Sequence, residues 1–219
     1  MTWNSPETRL KFVTFPMFHI GDPRYYERLR ADLGRCRYAL LEGVSWRLGD
    51  ERRPFYDLAA RNLGLAAQET SLKVPSQVTR INIDMPRSEF RARFFELPLR
   101  YILLFVCLRW LLWLMSLPPP FRRGILRHGV LHRSRRSSME DNAVMKLIVG
   151  GRDRRIVENL QAFYRERGLT DEPFYAGIVF GAGHMPAIAA GLRRLGFQVG
   201  TRRWAEVLRI DARGEVVHA

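Results

Sequence analysis

The sequence predicts an α/β protein, a mostly parallel sheet flanked by helices. Three observations carry this. Leu10 to Phe18 is mostly apolar, reads as a strand ending in Pro16-Met-Phe-His19, and is followed by a capped helix and a second apolar strand, Tyr38 to Leu41. Phe174 to Phe180 reads as a buried strand that enters the turn Gly181-Ala-Gly-His184 and then a helix with Pro186 in its first turn. A right-handed crossover makes the two strands of a strand–helix–strand unit parallel, so the residues that follow them share one edge of the sheet.

The elements follow in order. Asp22 is placed to cap a helix that opens on Pro23 and runs to about Cys36. Tyr25, Leu29 and Leu33 recur every four residues and give it a buried face. Tyr38 to Leu41 ends on Glu42 and Gly43. Pro54 to Leu65 reads as a helix. Val78 to Ile83 alternates weakly, reads as a strand, and closes on Asp84-Met-Pro86; Ser88 is placed to cap a helix from near Glu89. Ser138, with Asp141 three residues on, opens a further helix that Gly150-Gly151 interrupts. Its continuation from Arg152-Asp153 buries Ile156, Leu160 and Phe163, and Gly168 ends it. The last helix runs from about Pro186 to Leu195 and stops at Gly196. Short strands near Phe197 to Thr201 and Ala205 to Ile210 complete a single domain over 1–219. The two halves share a layout of strand, His-bearing turn, Pro, helix and strand.

An apolar and basic helical insertion, 97–137, interrupts this pattern. Tyr101 to Leu117 is 17 residues long with Arg109 at its middle, and Pro118 to Pro120 stop it. A spanning helix needs about 20 apolar residues, and a central arginine costs roughly 2.5–3.5 kcal/mol. A single span would also put His19 and Glu42 on one side of a membrane and His184 on the other. The segment is therefore expected to lie at a membrane surface through Trp110, Trp113, Arg122 and Arg123, to dip in and return, or to pack as a helical lid or buried hairpin.

Composition narrows the function classes. The net charge is +14, and 33 of the 36 basic residues are Arg. From Leu97 to Met139 there are eight Arg and no acid. Nucleic-acid binding ranks last, because the basic stretch from Phe121 to Arg136 lacks interleaved stacking aromatics and no recognised binding motif is present. Cys36 and Cys107 give neither a disulfide framework nor metal-ligand spacing. Met1 to Arg9 is polar and mixed, unlike a signal peptide, so the expected setting is cytoplasmic, with peripheral contact at the inner membrane face.

His19, Glu42 and His184 each follow an apolar strand. If the two units share one sheet, the three converge on one edge, where ligands of α/β sheets bind. Two imidazoles and a carboxylate suit a divalent transition metal with open positions for water. Glu42 is then a ligand or the base, and Arg152 orients a substrate carboxylate or a developing oxyanion. Gly181 and Gly183 are expected to let the backbone bend and a ligand approach, with Asp153 supporting the turn. The plain alternatives are a loop histidine, a Glu42–Arg ion pair and a surface helix start at Arg152-Asp153.

Phe18-His-Ile-Gly-Asp-Pro-Arg-Tyr-Tyr26, Leu40-Leu-Glu-Gly-Val44, Gly151-Arg-Asp153 and Val179-Phe-Gly-Ala-Gly-His184 resemble the TraB/GumN/Tiki group. That group is part of a superfamily with erythromycin esterases and haem-binding ChaN proteins. The resemblance extends from about Leu10 to Arg209. The second G-x-x-H motif, Gly181 to His184, is intact; the first reads Pro16-Met-Phe-His19, with Pro in place of Gly. What the resemblance implies is an α/β sandwich and a metal-dependent hydrolase of peptide or amide bonds using manganese or cobalt, with zinc also suitable. A non-catalytic membrane-face protein that binds haem, a peptide signal or lipid is the alternative.

Overall fold

The computed structural model describes residues 1–42, 57, 60–61, 64–96, 98–99, 102–103, 106–107, 150–211 and 216–217. A six-stranded mixed sheet is its centre. The strands are β1 (Thr2–Ser5), β2 (Thr8–Met17), β4 (Tyr38–Leu41), β6 (Thr79–Asn82), β7 (Phe174–Gly181) and β8 (Gln198–Val199), in the order β6-β4-β7-β2-β1-β8. The pairs β6–β4, β4–β7 and β7–β2 are parallel; β1 is antiparallel to both its neighbours. β3 (Ile20–Gly21) pairs with β5 (Ala66–Ala67), and β9 (Arg209–Ile210) with β10 (Val216–Val217).

Helices cover both faces. On one, α1 (Pro23–Leu33) buries Tyr25, Tyr26, Leu29 and Leu33 against Phe15, Met17, Ala39 and Val179. On the other, α4 (Arg152–Arg167) and α5 (Met185–Arg194) bury Ile156, Leu160, Phe163, Ile188 and Leu192 against Leu10, Phe12, Leu40, Ile178 and Phe180. Alternate strand residues point to opposite faces, so Ile178 and Phe180 serve one core and Val179 the other. Gly177 lets α1 pack closely: a Cβ there would stand 2.6 Å from Leu33 Cδ1. Two further helices are α2 (Gln68–Ser71) and α3 (Arg87–Phe95).

Most elements lie where the apolar pattern puts them, with instructive differences. β1 is not evident in a short polar stretch; it exists because Trp3, 1% exposed, inserts into the core. Ser88 does not cap α3, which begins at Arg87 with Pro86 at the cap position. The expected strand over Ala205 to Ile210 is confined to Arg209–Ile210. The two similar units are not equivalent in the sheet. β4 lies beside β7, whereas β8 pairs with β1 at the far edge. Among the described residues no helix is long and apolar enough to cross a membrane. Most of the expected helix at Pro54 to Leu65 lies outside the described residues, as does most of the insertion, including Trp110, Trp113, Arg122 and Arg123, and the cap at Ser138.

Candidate functional site

Three parallel strands deliver the site. β7 runs between β2 and β4, with Met17 opposite Gly181 and Leu41 opposite Val179. Residues following the three strands therefore emerge at one edge, His19 after β2, Glu42 after β4 and His184 after β7. The strand carrying His184 separates the other two, so His19 and Glu42 do not come from neighbouring strands.

His184 closes a single 3-10 turn, Ala182–His184, and α5 starts at the next residue. Its ring is buried and stands edge-on to Phe180, with centroids 6.1 Å apart. Nδ1 lies 2.6 Å from Asp153 Oδ1. An ionised carboxylate can only accept, so this contact fixes the proton on Nδ1 and leaves Nε2 as the basic nitrogen. Asp153 is in the first turn of α4, where the helix dipole favours negative charge. Nε2 faces Glu42 Oε1 at 3.9 Å.

Glu42 is held from two sides. Its Oε2 accepts the Gly181 N–H at 2.9 Å, and its Oε1 accepts Arg152 Nη2 at 2.6 Å. Arg152 is buried and also grips Asp84, with Nε to Oδ1 at 3.1 Å and Nη2 to Oδ2 at 2.5 Å. Burial would push the guanidinium down, but the hydrogen bonds and charges of Asp84 and Glu42 outweigh it and hold it above its ordinary value. Both Nη2 hydrogens are thus directed at carboxylates, and what this geometry supports for Arg152 is fixing Glu42. The Asp84 loop is secured in turn: its Oδ1 accepts Met85 N–H at 2.7 Å, and Asn159 on α4 donates to the Ile83 carbonyl at 3.0 Å.

The glycines differ from expectation. Among the described residues only Gly64 and Gly196 have positive φ, so the His184 turn does not need glycine for its backbone angles. Gly181 contributes its N–H and a close approach instead, a Cβ there lying 3.4 Å from Glu42 Oε2. A Cβ on Gly183 would meet nothing within 4 Å, which leaves the surface beside His184 open.

His19 is exposed, unlike His184. Two tyrosines of α1 fix the chain that carries it: Tyr25 Oη donates to the Pro16 carbonyl at 2.5 Å and Tyr26 Oη to the Phe18 carbonyl at 2.7 Å. Among the described residues no group of three or more His, Cys, Asp and Glu side chains is placed to hold a metal ion. His184 Nε2 and Glu42 Oε1 are 3.9 Å apart. Two metal bonds of about 2.1 Å at a tetrahedral angle would need about 3.4 Å, and Arg152 already occupies that oxygen. As placed, these residues do not fit a metal centre.

Asp84 is the site residue that sequence reasoning did not assign a role. Its signal is a weaker form of the one that marked Glu42: an acid directly after a strand, here Asp84 after the weakly alternating stretch Val78 to Ile83. Comparisons of the chain with protein-family models, with curated proteins and with solved structures return no match.

Proposed function

We propose that the protein is a hydrolase of amide or peptide bonds in which His184 is the general base. The observation that carries this is the line Asp153–His184–Glu42, with Nδ1 on a carboxylate and Nε2 facing a second one at 3.9 Å. A water donating one hydrogen to Nε2 and the other to Glu42 Oε1 fits that gap, with bonds of about 2.8 Å meeting at roughly 90°. Its lone pair is then free to attack a carbonyl carbon. Nε2 takes the proton as the C–O bond forms, and Asp153 stabilises the imidazolium. When the tetrahedral intermediate collapses, the C–N bond breaks and Nε2 returns the proton to the leaving nitrogen. Arg152 and Asp84 position Glu42 and touch no reacting atom.

The choice of an amide bond, and of the α/β sandwich shared by the TraB/GumN/Tiki group and its relatives, rests on the sequence resemblance. A six-stranded, mostly parallel sheet between helices is compatible with it. A metal-dependent form of the same reaction is the rival, favoured by His184 Nε2 and Glu42 Oε1 facing each other. It requires Glu42 to turn from Arg152 and His19 to join as a third donor.

The test is turnover of a fluorogenic peptide and ester panel, in chelator and with added manganese, cobalt or zinc. Turnover in chelator that falls about 10²–10⁴-fold in His184→Ala supports the proposal. Turnover only with metal, lost in His19→Ala, establishes the rival. No turnover under any condition, or turnover indifferent to His184→Ala, overturns both.

A further inference from the structure

A groove of about 360 Å³ lies between α4 and α5, and Asp153, the partner of His184, lines its near end. The two helices start together at the Asp153–His184 contact and stay close beyond it: a Cβ on Gly191 would stand 3.2 Å from Val157 Cγ1. Asp153, Val157 and Gln161 on α4, and Ala187, Ala190 and Arg194 on α5, line the groove at helical spacing, one face from each helix. At about 1.5 Å per helical residue, Asp153 to Gln161 spans about 12 Å. That is the reach of about four residues of extended chain.

Charge selects what lies there. Asp153 is committed to His184, and Glu158, also in the lining, to Arg154 and Arg155. Arg194, exposed in the last turn of α5, has no carboxylate partner among the described residues. The charge left to answer is therefore positive, and a guanidinium takes a carboxylate through two parallel N–H bonds. The two acids in the groove disfavour a string of phosphates but tolerate one negative group. Half-buried Val157, Ala187 and Ala190 admit small side chains, and the Gln161 amide can both donate to and accept from a peptide backbone. We propose that the groove between α4 and α5 holds the substrate as an extended peptide, with Arg194 gripping a carboxylate about four residues from the bond that is cut. The place of the cut rests on the His184 reading; the carboxylate grip does not.

The test uses fluorescein-labelled, alanine-rich octapeptides and the full chain. One peptide carries a single Glu and an amidated end, one has Gln in its place, and one has only its free C-terminal carboxylate. Anisotropy reads binding, on wild type and on His184→Gln, and mass spectrometry reads cleavage. The Glu peptide, the free-ended peptide or both should bind about tenfold tighter than the Gln peptide, which tells a side chain from a chain end as the source. Arg194→Glu should remove that preference. Arg193→Glu makes the same charge change beside the Trp3 ring, 5.6 Å from it, and should keep the preference within about twofold. Ala190→Leu, which narrows the floor, should weaken binding of the preferred peptide. No preference for either carboxylate, or equal loss in Arg193→Glu and Arg194→Glu, would overturn the groove, even if all three peptides are cleaved through His184. Arg194-dependent binding with no cleavage keeps the groove and removes the hydrolase.

Discussion

Asp84→Asn removes one charge from the site and almost no volume. The Asp84 side chain is 0% exposed, and both its oxygens hold Arg152, itself 9% exposed. Asparagine keeps one carbonyl oxygen but turns an amide N–H₂ toward a guanidinium that also only donates. Breaking a buried pair from one side typically costs about 3–5 kcal/mol. Arg152 retains Glu42 at 2.6 Å, so the lower end, about 3 kcal/mol, is expected. Urea denaturation at neutral pH, with an unchanged m value, measures it. Arg154→Ala is the control: the Arg154–Glu158 pair is 85% and 46% exposed, and its loss should cost less than about 0.5 kcal/mol. The double variant Asp84→Asn/Arg152→Gln should show a coupling of about 2 kcal/mol. A loss below about 1 kcal/mol for Asp84→Asn, with no coupling to Arg152, would refute the view that this buried pair anchors the site.

Gly177→Ala sets a Cβ 2.6 Å from Leu33 Cδ1 and 3.1 Å from Phe15 Cε2; a loss of about 1–3 kcal/mol in the same urea assay is expected. Asp153→Asn should lower turnover on any substrate found by about 10²–10⁴-fold, because His184 loses the partner that fixes its tautomer; its substrate affinity should change little. Burial pushes the Tyr25 phenol up to about 12 from 10.0, and raises Tyr26 as well. The folded state therefore keeps protons that the unfolded chain releases. The stability these groups contribute is complete below pH 10 and is lost as pH rises through about 12. Urea midpoints across that range should fall less steeply in Tyr25→Phe/Tyr26→Phe than in the wild type.

Much of the sheet was legible because β4 and β7, its central parallel strands, are largely buried on both faces and read as apolar runs, Tyr38 to Leu41 and Phe174 to Phe180. Asp22-Pro23 marked the start of α1 for a local reason, a side chain that accepts from Arg24 N–H at 2.8 Å. Strand order was not legible. Nothing local in the sequence says that β7, more than 130 residues after β4, inserts between β2 and β4. The site was legible as a set of residues at one edge, since Glu42, Arg152, Asp153 and His184 do meet. Their division of labour was not. That Arg152 is directed at Asp84 and Glu42 depends on β6 lying beside β4. That Asp153 reaches His184 depends on two helix starts meeting across a long stretch of chain.

The general-base role of His184 is tested most directly by its ring nitrogens. A long-range ¹H–¹⁵N correlation spectrum at neutral pH, with His184 assigned by its loss in His184→Gln, reads which nitrogen carries the proton. A proton on Nδ1 and a bare Nε2, shifting toward a mixed tautomer in Asp153→Asn, is the predicted result. A proton on Nε2 in the wild type, or no change in Asp153→Asn, would contradict it.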